Sequence, residues 1–146
     1  MKFPAFSVLF TLAVALLLPA CTPKPAVDEA TAFLPIHENV NAMEKKDVAR
    51  VMATVHPQSP VYAGTKEVIE DLFKHYTLKM TLSNLKIVKA TSDEVQVSFD
   101  QTTEKLSGPD EFQGTRLEGI HTLRQDKGEW KIFKTVPTKV SPLNPG

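Results

Sequence analysis

The spacing of apolar residues changes from a helical to a strand period near Thr77, and this change restricts the fold more than any other feature. Before Thr77, apolar residues recur every three or four positions, as in residues 68–73. After it, apolar and polar residues alternate, as in residues 95–100. Helices followed by antiparallel strands predict an α+β domain.

Three helical segments are predicted in the first half. Residues 27–55 carry helical spacing, but Pro35 interrupts it, so we expect a break or kink near Leu34. Asp47 is suited to cap a second, short helix. Residues 56–60 contain two prolines and stop that helix, and a third helix is predicted from Gly64 or Thr65. Its apolar face is predicted to contain Val68, Ile69, Leu72 and Phe73.

Turn signals divide the second half into four long strands of an antiparallel meander. They lie at residues 91–94, 107–110 and 126–128. A middle turn centred on Pro109 would pair Val97 with His121 and Phe99 with Gly119. This pairing places the apolar residues of both strands on one face, as a half-buried antiparallel sheet requires.

The last hairpin is predicted to turn at Asp126-Lys127. That turn would pair Leu123 with Trp130 and His121 with Ile132. The predicted inner face contains Leu85, Ile87, Val95, Val97, Phe99, Leu117, Leu123, Trp130, Ile132 and Val136. The predicted outer face is mostly polar and contains Gln96, Ser98, Asp100, Thr102, Arg116, Glu118, Thr122 and Lys131.

Two apolar residues interrupt the polar outer face. They are Ile120 and Phe133, which the predicted register makes near neighbours. Isolated apolar residues are normal on protein surfaces, but a sheet-to-sheet homodimer would form at these two. We therefore predict a possible homodimer through Ile120 and Phe133.

The order of these elements resembles the nuclear transport factor 2-like superfamily, which includes ketosteroid isomerase and polyketide-cyclase-like proteins. The resemblance rests on Asp47-Val48, the Pro-rich turn, Gly64 before Val68-Ile69, and the closing segment 128–132. It implies N-terminal helices packed on a strongly bent, cone-shaped sheet of four or slightly more strands. It also implies a small apolar or amphipathic ligand. No Asp or Tyr matches the isomerase's catalytic positions, so no catalytic residue is transferred.

The N-terminus resembles a bacterial lipoprotein signal. Lys2 precedes an uncharged apolar run, Ala5 to Leu18, which is shorter than a membrane span. Leu18-Pro19-Ala20-Cys21 has the form of a lipobox, and Cys21 is the only cysteine. We expect cleavage before Cys21 and acylation of its thiol, which would anchor the protein in the cell envelope. Thr22 favours the outer membrane where the organism has one.

These features divide the chain into residues 1–20 as signal peptide, 21–26 as lipidated cysteine and tether, 27–140 as one domain, and 141–146 as a tail. The whole chain has 17 basic and 17 acidic residues. A neutral domain lacks the basic surface that nucleic acids need, so nucleic acid is not expected as a partner. The membrane would be contacted through the lipid on Cys21.

His121 is the strongest candidate for a ligand contact. It is the one polar side chain predicted in the middle of the inner face, where burial would lower its pKa. An ordinary core histidine is the alternative. The candidate pocket contains His121, Phe99, Gly119, Trp130 and Tyr62. The four histidines lack the spacing of metal ligands, and no nucleophile motif is present. No catalytic residue, metal or cofactor is therefore predicted.

The sequence is compatible with three functions. The first is a lipid-anchored, non-catalytic domain that binds a small ligand or an envelope partner through its cone. The second is an accessory lipoprotein that acts by protein contact through the outer sheet face. The third is an isomerase- or cyclase-like enzyme, which a buried carboxylate in the cone would favour.

Overall fold

The computed structural model describes residues 27–143, which form three helices followed by four strands. The elements are α1 (Glu29–Glu44), α2 (Val48–Thr54), α3 (Tyr62–His75), β1 (Thr77–Ala90), β2 (Glu94–Ser107), β3 (Gly114–Asp126) and β4 (Glu129–Pro142). The predicted α+β class is confirmed. The predicted signal peptide, Cys21, the tether and the last three residues of the tail lie outside the described residues.

Helix α1 continues through Pro35, so of the break or kink predicted near Leu34, the break is wrong. The helix is capped by Asp28, whose carboxylate accepts a hydrogen bond from the Thr31 amide. Proline removes one helical hydrogen bond. The loss is offset by burial, because Ala32 and Ile36, on either side of the buried Pro35, pack in the core with no more than 1% exposure.

The two following helices are shorter. Asp47 caps α2 by accepting from the Arg50 amide, as predicted. Helix α3 begins at Tyr62, two or three residues before the predicted start at Gly64 or Thr65, and buries Ile69. Val68 is 67% exposed, so its predicted place on the apolar face is wrong. The helix presents a narrow apolar stripe to α2.

The four strands form an antiparallel sheet in the order β1-β2-β3-β4. Between β2 and β3, Val97 pairs with His121 and Phe99 with Gly119, which confirms the predicted register. This pairing places Val95, Val97 and Phe99 on the concave face, where each is almost fully buried.

The predicted register between β3 and β4 is wrong. Leu123 pairs with Ile132, and Trp130 pairs with Gln125. The two-residue turn consists of Lys127 and Gly128, both with positive φ (52° and 85°). Hairpin turns of this kind need left-handed residues at both central positions, and glycine adopts that conformation without steric cost. The turn therefore lies one residue later than predicted.

A β-bulge at Phe133 reverses the facing of β4 as far as a second register shift, which lies between Pro137 and Lys139. The pairing changes from Leu123–Ile132 to Thr122–Lys134, so Phe133 has no partner of its own. His121 consequently lies opposite Thr135. Val136 pairs with Ile120 on the outer face and is 40% exposed, so its predicted inner position is wrong. Ile120 has Val136, and not Phe133, as its apolar neighbour.

Most of the buried apolar residues fall into two clusters. The larger joins α1 to the concave sheet and contains Ala32, Ile36, Val95, Val97, Leu123, Trp130 and Ile132. The smaller joins the helices and contains Ala42, Val51 and Ile69. The connector between α2 and α3 attaches to β4, since the His56 amide donates to the Ile132 carbonyl at 2.9 Å.

The sheet has two edge strands. β4 contains Pro137 and Pro142, and β1 carries Lys79, Lys86 and Lys89. None of the helices within residues 27–143 combines the length and apolarity needed to cross a membrane.

Candidate functional site

A cavity of about 370 Å³ lies between the helices and the concave face of the sheet. All three helices, the connector and strands β3 and β4 contribute to its walls. Its apolar lining includes Met43, Val51, Val55, Ile69 and Ile132, and its polar lining includes Asn39, Ser59, Thr65, His121 and Thr135. A volume and lining of this kind are typical of small-molecule sites.

His121 projects from the centre of β3 into this region and is only 8% exposed. Its Nδ1 atom lies 2.8 Å from Oγ1 of Thr135 on β4. Burial lowers the pKa of His121 from 6.5 to about 4, because a charged imidazole loses its hydration there. The ring is therefore neutral at pH 7, in the direction that the sequence predicted.

Phe99 fixes the plane of the His121 ring. The two ring centroids are 4.0 Å apart, and the planes are inclined by 10°. Gly119 makes room for this arrangement, since a Cβ atom at Gly119 would lie 3.1 Å from the Phe99 ring. Phe99, Gly119 and His121, three residues of the predicted pocket, thus lie together, but of these only His121 lines the cavity.

The other two candidate pocket residues lie elsewhere. Trp130 is buried in the larger core cluster and borders a separate groove of about 290 Å³, beside Leu34 and Pro35 of α1. Tyr62 is half-buried at the start of α3 and lines a shallow surface between α2 and α3. The structure therefore does not bring Trp130 and Tyr62 to the cavity that contains His121.

Several cavity residues were not predicted from the sequence. Thr135 faces His121 only because the bulge at Phe133 shifts the strand, and no signal in the sequence marks that bulge. Asn39 lies on α1, where its side-chain amide donates to Thr54 at 2.7 Å. Ser59 is buried in the connector, and helical or strand periodicity cannot place a residue there.

The second buried histidine, His56, has a structural role. Its Nδ1 accepts from the Gln58 amide at 3.1 Å, and its Nε2 donates to the Gln125 carbonyl at 3.3 Å. Phe133 packs edge-on against His56 and lies under the guanidinium of Arg124, 3.7 Å from the ring centroid. These contacts hold the connector, one wall of the cavity, against the sheet.

The chemistry available in the cavity is limited. Within the described part of the chain, no aspartate or glutamate lines it. Over the same residues, no group of three or more histidine, cysteine or carboxylate side chains could hold a metal ion. A neutral histidine can donate or accept a hydrogen bond, and in this lining it has no carboxylate partner to orient it or to stabilise a proton on it. The arrangement is suited to binding.

A family model described as the C-terminal domain of the anti-sigma-I factor RsgI9 matches residues 35–143. The matched range includes the cavity, the connector and the whole sheet. No curated protein sequence matches the chain.

Solved structures with the same fold are distant in sequence. A cystatin-like protein of unknown function from Nostoc punctiforme is 14% identical, with a TM-score of 0.65 over 81% of this chain and 94% of that one. A protein of the NTF2-like family from Streptomyces avermitilis is 15% identical (TM-score 0.61, 80% and 96%). A ketosteroid isomerase-like protein from Erwinia carotovora atroseptica is 18% identical (TM-score 0.58, 75% and 95%). These likenesses establish an NTF2-like fold.

Proposed function

The chain belongs to the family described as the C-terminal domain of the anti-sigma-I factor RsgI9, and from this premise we propose that it is a non-catalytic ligand-binding domain. A lipid on Cys21 would hold this domain in the bacterial cell envelope. Its ligand would be a small, largely apolar molecule bound between the helices and the sheet.

The cavity beside His121 is the observation that carries this proposal. Its walls come from elements far apart in the chain, including α1, α3 and β4. An unfilled cavity of about 370 Å³ between the helices and the sheet removes contacts that a filled core would gain. A ligand would restore them.

The family supports a binding role over catalysis. The family is described by an anti-sigma factor, and that description names no enzymatic activity. The site agrees with this interpretation, since the described lining of the cavity contains no carboxylate that could act as a base itself or pair with His121.

The proposed anchor rests on the sequence at Cys21. Helix α1 begins at Glu29, eight positions after Cys21, and the intervening segment contains Pro23 and Pro25. Prolines stiffen such a tether. An acylated Cys21 would therefore hold the domain close to the bilayer surface.

A fluorescence experiment with N-phenyl-1-naphthylamine, a neutral apolar probe, tests the binding function. We expect the emission to rise with saturation when the soluble domain is added. Thr65→Trp, which places a large ring at the cavity wall, should abolish the increase. Val140→Trp, on an exposed site outside the lining, is the matched control and should preserve it. Equal binding by all three proteins would contradict the proposal.

Protein contact through the outer sheet face is a second candidate function. Ile120 and Val136 lie opposite each other on neighbouring strands and form an apolar pair on that face. Cross-strand ion pairs surround it, including Arg116–Asp100 and Lys139–Glu118. This composition, an apolar centre with a charged rim, is typical of a protein interface.

A further inference from the structure

Resting on the proposed binding function, we infer that the cavity selects an uncharged, largely apolar ligand with one hydroxyl or carbonyl group, held by Nε2 of His121. The inference names the chemical class of the ligand and the atom that recognises it. It follows from which atoms of His121 are occupied and which charges the cavity offers.

Two sides of the His121 ring are already occupied. Nδ1 is engaged by Thr135, and one ring face is stacked on Phe99. Within residues 27–143, no residue forms a hydrogen bond with Nε2. No fully buried side-chain nitrogen or oxygen in that range lacks a partner, so Nε2 must retain accessible surface. Because His121 lines the cavity and is otherwise buried, that surface faces the cavity.

The charges around the cavity select against ions. Lys134 is the one residue of the described lining that carries a full charge at pH 7, and it pairs with Thr122, a residue of the outer face. A cationic ligand would find no carboxylate, and an anionic ligand would face a neutral imidazole. An ion bound beside His121 would therefore lose hydration that the neutral imidazole cannot replace.

A single hydrogen bond suits a neutral imidazole. If Nδ1–H donates to Thr135, Nε2 accepts from a ligand hydroxyl; in the other tautomer, Nε2–H donates to a ligand carbonyl or hydroxyl oxygen. The rest of the ligand would contact apolar side chains such as Met43, Val51 and Ile69. Removing such a bond typically weakens binding by roughly tenfold.

Three probes with one apolar body test this inference by calorimetry at pH 7. They are naphthalene, 2-naphthol and 2-naphthoate, which offer no polar group, a hydroxyl and an anion. We expect 2-naphthol to bind about tenfold more tightly than either of the others. His121→Phe keeps the aromatic stack and removes Nε2, so naphthalene and 2-naphthol should then bind equally.

The outcomes separate the two proposals. One outcome is that the unmodified protein binds all three probes equally and that Thr65→Trp binds none. It would overturn the ligand class but would still support the binding function. A preference for 2-naphthol that persists in His121→Phe would overturn the role of Nε2. Tighter binding of 2-naphthoate would show that the site prefers an anion. Failure of every probe to bind would contradict both proposals.

Discussion

The imidazole of His121 lies face to face with the ring of Phe99, with 4.0 Å between the centroids. The two residues come from neighbouring strands and are diagonal neighbours, since Val97 is opposite His121 and Gly119 is opposite Phe99. The missing side chain at Gly119 lets the two rings approach. The apolar concave face of the sheet therefore contains one polar side chain, His121, whose ring has a fixed orientation.

The burial of His121 predicts a pH-dependent stability. Its pKa is about 4 in the folded protein and 6.5 in the unfolded chain, so the unfolded chain binds more protons between these values. The free energy of unfolding should fall by about 3 kcal/mol as the pH decreases from 6.5 to 4, and this contribution should be constant above 6.5. Urea denaturation at several pH values measures it.

His121→Phe is the control for that measurement and should remove most of the dependence in this range. Asp126, whose pKa is lowered by the hydrogen bond from Lys131, loses its charge at lower pH and is the same in both proteins. An unchanged pH dependence in His121→Phe would contradict the assignment.

Gly119→Ala should destabilise the protein by about 1–3 kcal/mol, as overpacked cores do. The new Cβ would lie 2.9 Å from the Val136 carbonyl oxygen and 3.1 Å from the Phe99 ring, so the backbone of β4 must shift. Gly64→Ala is the matched control. It lies in α3 with nothing within 4 Å, and should be neutral or stabilising. Thermal unfolding of both variants tests the prediction, and equal effects would refute it.

Lys127→Asn should stabilise the protein by up to about 1 kcal/mol. Lys127 has φ 52°, a conformation that costs most side chains energy, and Asn-Gly is the preferred pair for this hairpin turn. Lys45→Asn makes the same charge change at a residue with φ −82° and should not stabilise. Chemical denaturation distinguishes them, and a destabilised Lys127→Asn would count against the turn geometry.

The homodimer through Ile120 remains a prediction, and the structure gives Val136 as the second residue to test. Light scattering on the soluble domain should show a dimer that Val136→Asp converts to a monomer. Val140→Asp, also exposed but paired with Leu117, should stay dimeric. A monomeric unmodified domain at high concentration would exclude the interface.

Cys21 should be the N-terminus of the mature protein and carry lipid. Mass spectrometry of the protein from its native membrane should find acyl groups on this residue. Cys21→Ala should block processing and leave the domain folded, because the described core is formed by residues from Ala32 onward. A soluble product that retains residues 1–20 would contradict the prediction.

Most of the architecture follows from periodicity, because apolar residues must reach one core. The alternation around Val97 and Phe99 is unbroken, and it places β2 against β3 correctly. The cap at Asp47 was also predictable, since its carboxylate satisfies an amide of the next turn.

The incorrect predictions occur where tertiary packing overrides a local sequence rule. Pro35 is a helix breaker by sequence, but the buried residues on either side of it keep α1 continuous. Phe133, the bulged residue, contacts His56 and Arg124, which come from other elements. That bulge decides that Thr135 faces His121. The hydrogen bond between His121 and Thr135 therefore could not be predicted from strand alternation.

The two edge strands of the sheet limit how this protein can aggregate. Pro137 and Pro142 interrupt the row of amide donors along β4, and the lysines of β1 repel an identical neighbouring edge. Molecules crowded at a surface would thus resist strand-by-strand growth into fibrils. Self-association would then occur through the faces of the sheet, where side-chain complementarity determines which molecule can bind.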